Sequence, residues 1–145
     1  MNATMKKFGA PESVIAEYEH WVVQLRPKQA TLGAVVLICK DPAGAFSEVS
    51  PAGFAELPKT ISALESALTE ALGYDKINFL MLMMVDPDVH FHVLPRYADT
   101  RYFQQQAFAD PGWPGPPDLG WDNPVTAERA HALKQYLAGF FSREP

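Results

Sequence analysis

Cysteine is almost absent. Cys39 is the one thiol in 145 residues, so no intrachain disulfide can form, and a cytoplasmic setting is the expectation. It stands in an apolar run, where a thiol acts as a small hydrophobe and not as a nucleophile. Long hydrophobic runs are missing as well. The longest, Phe79 to Val85, falls far short of the ~20 residues that cross a bilayer, so no membrane partner is expected. Lys6 and Lys7 are not followed by an apolar stretch, so no secretory leader is expected. Basic charge is in deficit: 12 Lys and Arg stand against 17 Asp and Glu, for a net charge of −5. That argues against a nucleic-acid polymer as partner, which needs a basic face, and leaves room for a small nucleotide, which needs only a local cluster of donors. There is no internal repeat.

With 48% hydrophobic residues, the chain has enough apolar material for one domain around one core, spanning residues 1–145. Residues 1–12 read as a loose N-terminal tail. Val14 to Tyr18 and Trp21 to Leu25 are rich in β-branched and aromatic residues and predict two strands, with Glu19-His20 as the turn and His20 a turn residue more than a ligand. After a polar connection, Ala34 to Lys40 predicts a strand buried on both faces. Ser50 then caps a helix with Pro51 at its first position. Phe54, Leu57, Ile61, Leu64, Leu68 and Leu72 form its apolar stripe, Pro58 predicts a kink or a break, and Gly73 ends it. Lys76 to Val85 predicts a fourth, central strand whose methionines fill the core. Asp88 to Leu94 predicts a fifth. Residues 98–124, rich in Pro and Gly, read as a long irregular segment: a binding loop, a wrap across a partner, or disorder, with Trp113 and Trp121 favouring order. Residues 125–142 predict a closing helix, with Arg143 near its end and His131 on its surface. The order β-β-β-α-β-β-α predicts an α+β fold with a mostly antiparallel five-stranded sheet.

The chemistry concentrates in Asp88-Val89-His90-Phe91-His92-Val93-Leu94-Pro95-Arg96. Alternation puts Asp88, His90 and His92 on one face of a strand, with same-face neighbours roughly 7 Å apart, and Val89, Phe91 and Val93 on the other. A lone histidine on a wet strand face needs no function. Two of the chain's four histidines beside an acid on a rigid strand point to a site.

This stretch resembles the histidine triad motif, His-φ-His-φ-His-φ-φ with φ apolar, often continuing Pro-Arg. The resemblance covers residues 13 to 97 and includes the order of strands and helix. It implies a nucleotide hydrolase or nucleotidyl transferase acting at the α-phosphate of AMP-X compounds, such as dinucleoside polyphosphates or nucleoside phosphoramidates, with no cofactor and no metal. By position, His90 corresponds to the nucleophile that carries the nucleotidyl group, and His92 to the residue that orients the phosphate. Gln24, Arg26 and Gln29 fall where the family holds base and ribose, Asn78 falls on the strand before the motif, and Arg96 follows it. The resemblance also implies a homodimer, with the C-terminal segment reaching toward the partner's site. The chain departs from the pattern in several places. Asp88 replaces the first histidine. Gly33-Ala34 stands where Gly-His is usual, Lys40-Asp41 where a further histidine is usual, and Met83-Met84-Val85 where many members have Gly-Gln.

Elementary chemistry agrees with that scheme. Neutral imidazole, with an ordinary pKa near 6.5, is a good nucleophile at pH 7. A covalent intermediate splits one hard displacement into two easier ones. A carboxylate at position 88 would orient an imidazole but repel a phosphate. Two other readings stay open. One is a nucleotide-binding module without turnover. The other is a metal site in which Asp88, His90 and His92 form a two-histidine, one-carboxylate set, with His20 or His131 adding a ligand.

Overall fold

The computed structural model describes residues 1–141. Five strands form one antiparallel sheet: β1 (Val14–Glu17), β2 (Trp21–Leu25), β3 (Val35–Cys39), β4 (Lys76–Leu80) and β5 (His90–Arg96), in the spatial order β1-β2-β3-β5-β4. Three helices complete the frame: α1 (Ala3–Lys7), α2 (Pro51–Leu72) and α3 (Ala127–Phe141). A hairpin of β6 (Arg101–Phe103) and β7 (Gln106–Phe108) lies in the segment expected to be irregular. Arg143 lies outside the described residues. Among the described residues, no helix is long and apolar enough to cross a membrane.

Register divides the sheet into two faces. Val22 pairs with Ile38, Ile38 with His90, Val36 with His92 and Asn78 with Leu94, so these residues share one face. Trp21, Val23, Val35, Leu37 and Val93 occupy the other, and there they meet Leu64, Ala67, Leu68 and Leu72 of α2 and Leu133, Leu137 and Phe141 of α3. Leu64 and Leu68 are fully buried, and each such side chain contributes roughly 1.5–3 kcal/mol by leaving water. The α2 face of the sheet is thus the main core, and the histidine face is left to build a site.

The ends of α2 follow the sequence. Ser50 Oγ accepts from Gly53 N at 3.0 Å, Pro51 stands at the first position, and Gly73 closes the helix at φ +55°. Pro58 does not break it: α2 is one helix of 22 residues. Cys39 is a fully buried core residue, and burial pushes its thiol up.

Four expectations are corrected. Residues 1–12 are not a loose tail, because α1 packs Met5 against Val22, Val36 and Ile38, and Thr4 is fully buried. β4 is an edge strand, not a central one, and it ends at Leu80. Beyond it Met83 adopts φ +52°, and Leu82, Met84 and Val85 are exposed, so the run leaves the sheet and only Met81 and Met83, partly buried, pack against the core. Pro95 does not end the fifth strand: it pairs with Ile77, and β5 runs on through Arg96. A proline is tolerated there because β3 starts at Val35, opposite Val93, so no β3 residue stands opposite position 95 to receive the missing N–H.

Candidate active site

β5 carries His90 and His92 on the same side of the sheet, their ring centroids 5.1 Å apart and nearly perpendicular. Both line a cavity of about 400 Å³, within the size range of small-molecule sites. Its remaining walls come from four places. Lys7 and Phe8 follow from α1, and Arg26, Pro27 and Lys28 from the turn after β2. Leu82 to Asp86 come from the loop between β4 and β5, and Leu119 from the C-terminal segment. One side is apolar, and the histidine side carries three cations.

His90 is held by its own main chain. Its Nδ1 lies 2.7 Å from the carbonyl oxygen of Asp88. A carbonyl only accepts, so Nδ1 carries a proton, and in the neutral ring the lone pair falls on Nε2. The ring is almost fully buried. That is the tautomer a nucleophilic Nε2 needs.

His92 is set the opposite way. Arg26 Nε donates to His92 Nδ1 at 3.3 Å. Nδ1 is therefore the acceptor, and Nε2 of the neutral ring carries the hydrogen. Burial first, then the charges of Arg26 and of His90, push the His92 pKa down to about 4. Arg26 itself is buried and anchored by Nη1 to the carbonyl of Lys28 at 2.7 Å. The two imidazoles thus stand side by side as a lone-pair bearer and a neutral N–H donor.

The Asp88 carboxylate has a different neighbour. Its Oδ2 accepts from Thr4 N at 3.0 Å, while Asp88 N donates to Thr4 Oγ1 at 3.1 Å. The carboxylate is committed to α1, and the residue's contact with His90 is made by its main-chain carbonyl. Among the described residues, no group of three or more His, Cys, Asp or Glu side chains is placed to hold a metal ion, so Asp88, His90 and His92 do not form the two-histidine, one-carboxylate set. His20 is far from such a role, with Nδ1 2.5 Å from Asp41 Oδ2, and His131 is exposed on α3.

The other residues drawn from the sequence lie outside the cavity wall and hold the scaffold around it. Gln24 Nε2 donates to Met5 O at 3.0 Å and to Ser13 Oγ at 2.9 Å. Gln29 is a turn organiser: Nε2 donates to Arg26 O and Ala34 O, and Oε1 accepts from Gly33 N. Arg96 is buried in an ion pair with Asp110, Nε to Oδ2 at 2.7 Å, and donates from Nη1 to Asn78 Oδ1 at 2.7 Å and from Nη2 to Gly115 O at 2.9 Å. Asn78 and Arg96 therefore satisfy each other. The Pro-rich segment is ordered through these bonds and through Asn123, whose Nδ2 donates to Gln29 O at 2.9 Å. Sequence reasoning missed Lys7, Phe8, Lys28, Asp86 and Leu119. Lys28 has a signal, being a cation in the connection beside Arg26. Lys7 and Phe8 have none, because the contact that brings them in spans more than 80 positions.

No family model matches the chain, and neither does any curated protein sequence. Solved structures do. A histidine triad protein from Sinorhizobium meliloti superposes with TM-score 0.74 over 96% of this chain and 94% of its own, at 20% identity. One from Marinobacter aquaeolei gives 0.72 over 95% and 94%, at 24% identity. A zinc-bound histidine triad family protein from Mycobacterium smegmatis gives 0.62 over 97% and 94%, at 20% identity. The chain has the histidine triad fold across nearly its whole length.

Proposed function

We propose that this protein is a nucleotide hydrolase or nucleotidyl transferase working through a covalent histidine intermediate. The observation that carries the reading is the hydrogen bond from His90 Nδ1 to the Asp88 carbonyl, which in the neutral ring leaves the lone pair on Nε2 of a residue lining the cavity. The α-phosphate of an AMP-X compound sits between the two imidazoles. The Nε2 lone pair of His90 forms the N–P bond, the P–O or P–N bond to X breaks, and X leaves with the electron pair, taking a proton from solvent when the leaving atom is nitrogen. The phosphorylated imidazole is cationic, and its Nδ1–H stays bonded to the carbonyl. Water then attacks phosphorus, the N–P electron pair returns to Nε2, and the proton of water goes to solvent. His92 donates its Nε2–H to a non-bridging oxygen in both steps. The scheme needs positioning and hydrogen bonds but no metal.

The apolar wall of Leu82, Met83 and Leu119 suits a base, and Lys7 and Lys28 suit phosphate. The same reading includes pairing of two copies, supported by the open edge of β4, where Ile77 and Phe79 are only half buried. It also includes a cytoplasmic setting, in keeping with a lone buried thiol.

The test is an intermediate trap. The protein is incubated with a diadenosine polyphosphate and with an adenosine phosphoramidate, quenched, and weighed intact. An added AMP that is lost in His90→Ala is the expected result. Tight AMP binding with neither adduct nor AMP release would replace the enzyme with a binding module.

A further inference from the structure

The segment before β1 is fastened to the motif and to the strands and loop beside it at several points. Asn2 Oδ1 caps α1 by accepting from Met5 N at 2.9 Å, and its Nδ2 donates to Cys39 O at 2.9 Å. Thr4 and Asp88 exchange two hydrogen bonds through main chain and side chain. Lys7 Nζ pairs with Asp86 Oδ1 at 2.7 Å. Gln24, from β2, takes up the Met5 carbonyl. The product of this anchoring is the position of Phe8. Its ring centroid lies 6.2 Å from that of His90 and 6.0 Å from that of His92, edge-on to the latter.

Two acids, Asp86 just before the motif and Asp88 at its first position, are each engaged by the N-terminal segment. Left unpaired, such carboxylates would repel a phosphate brought to His90. Bound as they are, they serve as attachment points for a wall. We propose that residues 2–8 are a working wall of the active site, clasped by Asp88, in which Phe8 shields and orients the two imidazoles and Lys7 meets the phosphate of the bound nucleotide. Asp88 is then a positioning residue that acts through Thr4. The role of Lys7 rests on the nucleotide reading above, whereas the clasp and the shield do not.

The experiment separates the two. Site-resolved carbethoxylation by diethyl pyrocarbonate, read by peptide mass spectrometry, reports access to each histidine, with exposed His131 as the internal reference. Asp88→Ala and Phe8→Ala are expected to speed modification of His90 and His92 severalfold relative to His131. Asp88→Asn, which keeps an acceptor for Thr4 N, is expected to stay near wild type. Thr4→Val serves as a second clasp variant should Asp88→Ala fail to fold. Unchanged relative rates in folded Phe8→Ala and in a folded clasp variant would overturn the wall. For Lys7, calorimetry with AMP is expected to show binding weakened about tenfold in Lys7→Met, as befits loss of one charge-assisted contact. Wild-type affinity in that variant removes Lys7 from the proposal. Absence of AMP binding by the wild-type chain removes the nucleotide reading while the shielding result stands.

Discussion

Arg26 Nε points its hydrogen at His92 Nδ1 across 3.3 Å. A permanent cation next to an imidazole penalises the imidazolium, and its N–H occupies the atom where a second proton would sit. Arg26→Met therefore raises the His92 pKa from about 4 toward the ordinary value, although burial, the larger cause, still holds it below. NMR titration of the His92 ring checks this. The sign for stability follows: a folded pKa below the unfolded one means that protonation opposes folding, so this contribution is intact above pH ~6.5 and declines as pH falls through about 4. An unmoved His92 titration would show that Arg26 exerts no such control.

Asp110→Ala strips the buried Arg96 of its anion. The pair is 4% and 1% exposed at its two side chains, and removal of one partner of a buried pair costs about 3–5 kcal/mol. Urea unfolding measures it. A loss under ~1 kcal/mol, typical of surface pairs, would mean that Asn78 and Gly115 alone satisfy Arg96.

Met84→Ser leaves folding within about 0.5 kcal/mol of wild type, as expected for an exposed site, because the side chain is 84% exposed. Nucleotide affinity falls if the loop covers the base. A core methionine would instead cost 2–5 kcal/mol or so on truncation, and thermal denaturation tells the two apart.

His20 contributes pH-dependent stability of the opposite sign. The hydrogen bond to Asp41 is the main cause that raises its pKa; burial opposes it, and the charges of Asp41, Glu19 and Glu56 add to it. A raised folded pKa favours the imidazolium in the native state. The stabilisation is full below pH ~6.5 and is lost as pH rises through the raised value. The stability gap between wild type and His20→Gln is expected to be wider at pH 6 than at pH 8.5 in chemical unfolding.

Much of the frame is legible in the residues. β2 and β3 are the apolar runs predicted at Trp21 and Ala34, and α2 starts and stops at Ser50 and Gly73 as its caps demand. The five-stranded antiparallel sheet with its intervening and closing helices is the predicted fold. What resists reading is whatever depends on distant partners. α1 is five residues long, too short to stand alone in water, and exists because Asp88 and the sheet receive it. The β6–β7 hairpin turns through Gln104 and Gln105, both at positive φ, and lacks the Asn-Gly or Asp-Gly pair that marks such turns. The run from Met81 to Val85 has the composition of a buried strand, but β4 ends at Leu80 and the run beyond it turns through a left-handed residue, Met83. In the site, His90, His92 and Arg26 are brought to one cavity. Gln24, Gln29, Asn78 and Arg96 are polar residues whose partners are backbone groups, one another, or scaffold side chains such as Ser13 and Asp110, a distinction that pattern alone does not carry.

The proton on His90 is governed by a carbonyl that every amino acid possesses. The side chain at position 88 is for that reason free to be spent elsewhere, and here it holds the chain's beginning in place. A motif spelled with three histidines can thus give one up and still hold its central imidazole in place. Tallying letters undercounts chains of this kind, whereas asking which oxygen faces the central imidazole does not.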